Sequence, residues 1–397
     1  QYFWYLSGIT LFVIPTGVQT ILFPWLLTVR LHVSADQMGI AQMFIQLPAL
    51  LLILVGGLMA DRRDPRQILM LFHLIAMAPP LLLAGLIFSD NLSYGAMVAY
   101  AVATGLIMAF IQPARDSLLN QVAGDQLQKT VTIVMGLNFG AQIFGYLAAS
   151  QADTIGAVPL LSLQAGMLGC GIFAAWKLQA RPAGLTTSSS LSGIAAIKAG
   201  LNTVFSHRRM RYTTILVMSM SGFYGGAFAV LNPLVVRDVY GGDSAYMSLS
   251  FAAFTLGTIL MTALLVASGG IRLHGRALVL SQPSGGLMLV LAANSSQFWI
   301  YALCFFCWGM CGAVAMSMSR TIMQESAPPE YRARVMSVFS MANLGGMPLG
   351  ALLLGYVAAL WGPSTGLMVS ACGASGIAIT LALTTELWER EETAATP

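Results

Sequence analysis

Few side chains in this sequence could do chemistry, and they fall in a few places. The densest group is the run Gly56-Gly57-Leu58-Met59-Ala60-Asp61-Arg62-Arg63-Asp64-Pro65-Arg66. It sets Asp61 among Arg62, Arg63 and Arg66, beside Gly57, whose missing side chain lets helices approach closely. Asp61 can accept bonds from guanidinium groups or from a helix N-terminus. The run therefore suits a latch that forms and breaks with conformation, and equally a basic turn that only sets topology. A second group, Arg30, Asp36, Arg237 and Asp238, fits either a gate that exchanges ion-pair partners or a solvated ring of charges. His73 lies in an apolar stretch and is either a group that titrates near neutrality or a hydrogen-bonded structural histidine.

The remaining polar candidates are neutral. Gln42 and Gln46 are four apart, as are Asn138 and Gln142, so each pair shares a helix face. Gln19, Tyr224 and Asn232 complete the set, with Trp308 as an aromatic candidate. These groups either line a cavity or hold helices together, at roughly 0.6 kcal/mol per bond. The 23 Met and 19 Phe suit an adaptable apolar pocket. A cavity with amides and aromatics but no fixed charge suits a neutral or amphipathic organic molecule. Cys304, Cys307 and Cys311 include a Cys-x-x-Cys spacing, which can mark redox or metal chemistry. With no His or carboxylate alongside, they read as small packing residues. No metal or cofactor is expected, and no Gly-rich Lys-Ser/Thr loop points to ATP.

The elements that must position these residues follow from composition. The chain has 397 residues, 57% apolar and only 9% charged, with mean hydropathy +0.76. A soluble domain carries roughly 25% charge, so a soluble enzyme, a nucleic-acid binder and a disordered chain are all excluded. The net charge of +4 is what basic loops of a membrane protein supply. A spanning helix needs about 20 apolar residues. Twelve such segments are expected, near 3–29, 37–60, 67–88, 93–112, 130–151, 156–178, 212–236, 244–267, 276–293, 297–318, 335–360 and 364–385.

The predicted organisation is an all-α membrane protein of two six-helix bundles, 1–178 and 212–397, the second with a short tail, joined by a linker at 179–211. Leu191, Ile194, Ile197, Leu201 and Val204 in the linker recur at helical spacing, which predicts an amphipathic helix on the membrane surface. With the first span starting inside, only Arg30 and Arg237 of the 19 Lys and Arg fall outside. The positive-inside rule then places both termini in the cytoplasm of a multi-pass cell-membrane protein. Trp4, Trp25, Trp176, Trp299, Trp361 and Trp388 fall near predicted span ends, as interfacial tryptophans do. No cleavable signal peptide is expected, because the first apolar stretch is long and no basic region precedes it.

The two halves resemble one another. At an offset of 205, Arg115 meets Arg320, Asp125 meets Glu330, Lys129 meets Arg334, Asn138 meets Asn343, Gly140 meets Gly345 and Gly145 meets Gly350. At an offset of 207, Val29-Arg30 meets Val236-Arg237 and Asp36 meets Asp243. Parallel repeats of this kind are a transporter architecture with substrate near the midplane.

The Gly56–Arg66 run, between the second and third spans, resembles the signature loop of the major facilitator superfamily. Leu22-Phe23-Pro24-Trp25 and Gln112-Pro113-Ala114-Arg115 look like its drug and siderophore exporter branch, which includes the enterobactin exporter and macrolide efflux proteins. The chain departs from the pattern: Asp64 replaces the usual Gly, no arginine is expected inside the fourth span, and the fifth lacks Gly-Pro. The second-half copy, Gly269 to Arg276, lacks the Asp. The resemblance implies no enzyme. It implies a secondary transporter that exports a small amphipathic or neutral organic solute by alternating access, with proton antiport as the coupling to be tested. Lipid is its surrounding partner, nucleic acid plays no part, and a monomer is expected. Lipid or lysolipid transport and facilitated movement without proton coupling are the alternatives.

Overall fold

In the computed structural model residues 1–123, 127–179, 193–271 and 273–385 are described. The Thr186–Ser190 stretch, Leu191, Asp125, Arg272 and Trp388 fall outside that set, and so do the side chains of Asp61, Lys129, Ile194 and Ile197. Every regular element among the described residues is a helix, and none is a strand. The helices are α1 (Tyr2–Trp25), α2 (Ala35–Arg62), α3 (Pro65–Ala76), α4 (Ala78–Phe88), α5 (Tyr94–Ala123), α6 (Leu127–Ala149), α7 (Ala152–Ile155) and α8 (Ala157–Trp176). They continue with α9 (Gly193–Ser206), α10 (Arg208–Gly226), α11 (Asn232–Asp238), α12 (Ser244–Ala267), α13 (His274–Ala293), α14 (Phe298–Ser326), α15 (Arg332–Trp361) and α16 (Pro363–Thr384). Among them 11 stretches are long and apolar enough to span a membrane, and a shorter apolar stretch, Ile133–Ala149, supplies the twelfth.

Local sequence explains the joints. Asp64 accepts from the Arg66 N–H at 3.0 Å and Pro65 opens α3, as acid caps and first-turn prolines do. Pro79 and Pro80 break the third span at Met77, into α3 and α4, because each lacks a backbone N–H. Two π turns, Leu26–Arg30 and Ala227–Leu231, occur near the ends of the first and seventh spans. The structural repeat thus echoes the sequence repeat.

The chain forms two compact units: Gln1–Ser190 with Pro233–Ala252, and Leu191–Asn232 with Ala253–Pro397. In the first, α1 crosses α6 where a β-carbon at Gly17 would lie 2.6 Å from the Gln142 carbonyl oxygen, and one at Gly145 would collide with Ile14. In the second, α10 crosses α15 through Gly222 and Gly350 in the same way. The matched pair Gly145 and Gly350 therefore does the same job in each unit: it lets two backbones touch. Gly56 likewise closes α2 on Ala109 of α5, whereas a β-carbon at Gly57 meets nothing within 4 Å. The close approach expected at Gly57 falls on its neighbour.

Two boundaries differ from expectation. Hydropathy ends the fourth span at 112, but α5 runs on to Ala123 with Pro113 inside it, since a helix that projects past the bilayer needs no apolar residues. Arg115 therefore lies inside the helix rather than after it. The predicted amphipathic helix is α9. Its Val204 is buried in a cluster with Met210, Val217, Met323 and Val335, and a β-carbon at Gly200 would sit 2.9 Å from the Arg334 carbonyl oxygen. One face of α9 is thus docked on protein, at the start of α15.

Candidate functional site

At the α2–α3 end, the signature loop is pinned from below. Arg66 Nη2 donates to the Trp176 carbonyl oxygen at 2.6 Å, at the C-terminus of α8, where carbonyls are unpaired and the dipole favours a cation. Arg62 and Arg63 are exposed. One guanidinium of the loop is therefore structural, while two are left to solvent or to moving partners.

Arg115 was missed as a site residue. Its Nη2 donates to Asn138 Oδ1 at 3.2 Å, and its guanidinium carbon lies 5.0 Å from the Phe12 ring centroid. Asn138 in turn donates to the Val134 carbonyl oxygen at 2.8 Å, so this amide is engaged in holding an arginine. The ring of His73 packs edge-on against the same Phe12 at 5.7 Å. Its Nδ1 faces the Leu69 carbonyl oxygen at 2.8 Å. A carbonyl only accepts, so Nδ1 carries the proton. A β-carbon at Gly171 would lie 2.9 Å from His73 Nε2, which shows how tightly α8 encloses the ring.

At the α1–α2 end the predicted charges separate into two sets. Arg237 pairs with Asp238, with Nη2 at 3.0 Å from Oδ2, and its Nη1 donates to the Val33 carbonyl oxygen at 3.2 Å. Arg30 is exposed and Asp36 half-buried in the first turn of α2. The network at this end centres instead on Asp153, which sequence reading noted only as part of a short turn. Its Oδ1 accepts from Trp25 Nε1 at 3.1 Å, and its Oδ2 accepts from the Ser244 N–H at 2.7 Å, at the first turn of α12. Asp243 accepts from the next two N–H groups, Ala245 at 3.0 Å and Tyr246 at 3.1 Å. Trp25, expected as an interfacial anchor, is buried.

The neutral candidates divide between the units. In the first, Gln19 lines a small cavity of about 40 Å³ with Thr16, Tyr100, Thr104 and Gln164. Gln42 is buried and Gln46 and Gln142 half-buried; they do not line this cavity. In the second, Trp308 is 2% exposed at the centre of an aromatic cluster, 4.8 Å from Phe254, 5.1 Å from Phe305 and 5.7 Å from Tyr224. It is a packed core tryptophan in this state. The Tyr224 hydroxyl donates to the Gln282 carbonyl oxygen. Asn232 is fully buried and its Oδ1 accepts from the Tyr301 hydroxyl at 2.9 Å. Gln164, Gln282 and Tyr301 were not singled out in the sequence, since an isolated amide or tyrosine in an apolar span carries no spacing signal.

Cys304, Cys307 and Cys311 are free thiols on α14. Among the described residues no three His, Cys, Asp or Glu are placed to hold a metal ion. Every described Asp and Glu lies in a connection or within about two turns of a helix end.

Spanning helices with glycine-packed crossings repeated in each unit, interior amides and carboxylates kept near helix ends describe a multi-pass membrane protein. The chain belongs to the Major Facilitator Superfamily, whose sequence profile matches residues 5–351 and again 214–396. It is a transporter of small molecules and not an enzyme. It is 27% identical to the multidrug efflux pump Tap of Mycolicibacterium fortuitum over 362 residues, 86% of this chain and 85% of that one. A point-mutant form of the nucleoside transporter NupG superposes with a TM-score of 0.79 at 15% identity, covering 96% of this chain and 98% of that one. A bacterial homolog of the human lysosomal transporter Spinster, inward-facing and unoccupied, gives 0.73 at 12% identity, covering 98% and 95%. These structural likenesses establish the fold.

Proposed function

We propose that this chain is a secondary exporter of small amphipathic or neutral organic compounds, working by alternating access in the cytoplasmic membrane with both termini inside. The observation that carries the reading is the full-length similarity to a multidrug efflux pump. It is supported by an interior that offers amides and aromatics, with every described carboxylate kept near helix ends or in connections. Such groups recognise shape and hydrogen bonding rather than fixed charge.

In this reading the bundles 1–178 and 212–397 rock about a midplane site drawn from Gln19, Gln42, Gln46, Gln142, Tyr224 and Asn232. The loop from Gly57 to Arg66 gates the inner face through Asp61, Arg62 and Arg63, while Arg66 anchors it to α8. Arg237 and Asp238, with Asp153, close the outer face. His73 packs α3 against α1 and α8.

Energised efflux of ethidium from cells expressing the protein tests the export reading, and cells that retain ethidium like the empty-vector control contradict it. The position of the described carboxylates supports a second reading, movement down the substrate gradient without proton exchange. Flux that persists after an imposed pH gradient is collapsed selects it.

A further inference from the structure

A groove of about 510 Å³ runs between α4 and α5 in the first unit, within the range of pockets that hold drug-sized ligands. The sequence makes it. Ala96, Ala99 and Ala103 put small side chains along one stripe of α5, and Pro79 and Pro80 bend the third span away from them. Tyr100 contributes the one side-chain polar atom of the lining, and Leu82 is 68% exposed at the rim. In a membrane-spanning segment, that rim faces acyl chains.

The groove does not end blindly. Pro79, Tyr100 and Ile107 line both it and the small polar cavity beside Gln19. Behind that shared wall lies Gln164, only 2% exposed. Its Nε2 donates to the Pro15 carbonyl oxygen at 2.8 Å, while its Oε1 is buried without a partner. An amide oxygen so enclosed is normally hydrogen-bonded. The cavity is about 40 Å³, and one water needs roughly 10–15 Å³, so it has room for a small donor group. An apolar trough on the membrane side and an unsatisfied acceptor behind one wall are the two halves of an amphiphile's shape.

We propose that this groove is a membrane-side entry site for an amphipathic molecule with a hydrogen-bond donor, such as a protonated amine, at one end. The apolar body lies along the alanine stripe of α5. The donor passes the Pro79–Tyr100–Ile107 wall and binds Gln164 Oε1. The proposal rests on the reading of the substrate as amphipathic, and it names where that substrate leaves the bilayer.

The test uses the full chain in phosphatidylethanolamine–phosphatidylglycerol nanodiscs and dodecylamine carrying a chain diazirine. Photolabelling should map to residues 72–110 and be competed by unlabelled dodecylamine but not by dodecanoate. Gln164→Met, close in shape, should weaken that competition about tenfold, as expected for a lost bond to a charged donor. Ala103→Trp should abolish the labelling, and Ala99→Trp, nearer the mouth, serves if the first variant does not fold. Labelling that survives both tryptophans, or that dodecanoate competes equally, shows an ordinary lipid contact and overturns the proposal, as does an unaltered Gln164→Met. Ethidium efflux is read separately. Normal efflux in a tryptophan variant that has lost labelling overturns the entry role. Specific labelling by a wild-type protein that exports nothing supports the site and refutes the export reading instead.

Discussion

Removing the Asp153 carboxylate should shift the protein toward the state open at the α1–α2 end. Asp153→Ala deletes the acceptor for Trp25 Nε1, at 3.1 Å, and for the Ser244 N–H, at 2.7 Å. The second bond ties the turn after α6, in the bundle 1–178, to the start of α12, in the bundle 212–397, and must break when that end opens. Loss of a helix N-terminal acceptor costs about 1 kcal/mol; the figure is low here because Asp243 still caps Ala245 and Tyr246. The bond to the Trp25 indole stays within one bundle, so its loss costs both states alike. About 1 kcal/mol is roughly a 5-fold change in the closed-to-open ratio. A protein closed about 99% of the time would fall to about 95% closed. Spin labels at Ile155 and Val239, both exposed, read this directly by pulsed dipolar spectroscopy. A second, longer distance should appear in Asp153→Ala and at lower population in Asp153→Asn, which keeps one acceptor. Identical distance distributions in the wild type and Asp153→Ala would show that the network is not a latch.

Three further outcomes follow from the same geometry. Asp61→Asn should impair flux while leaving expression and substrate binding largely intact, and normal flux would remove the inner gate. Gly145→Val drives a side chain into Ile14 and the α1 backbone, an overpacking that costs about 1–3 kcal/mol or more. Its thermal midpoint should fall well below that of Gly140→Ala, where open space surrounds the site; equal midpoints would refute the crossing. His73→Gln should lower thermal stability yet leave the pH profile of flux unchanged, because the ring is held by Leu69, Phe12 and Gly171. A flattened pH profile would make His73 the coupling group.

The spans, their number and the half-repeat were legible because each rests on a pattern tens of residues long. Gly145 and Gly350 could be matched from sequence alone, and both sit at close crossings. The ends of helices were harder. Arg115 reads as a loop residue when hydropathy decides, since a polar run looks the same in a loop and in a helix that projects past the bilayer. Gly56 and Gly57 differ by 100° around α2, and only the partner helix reveals which one faces it. Asp153 escaped for another reason. Its partners Trp25 and Ser244 are 128 and 91 residues away in sequence, and no local spacing encodes such a bond. Trp308 shows the converse: its span position was plain, but only packing against Phe254 and Phe305 reveals a core role.

The central claim is outward transport of an amphipathic solute by a secondary mechanism. Its most direct test is ethidium accumulation in everted membrane vesicles with an imposed transmembrane proton gradient and no nucleotide. The account predicts uptake into vesicles containing this chain, impaired by Asp61→Asn at equal protein level. Vesicles that take up no more ethidium than protein-free controls, under either direction of the gradient, would contradict it.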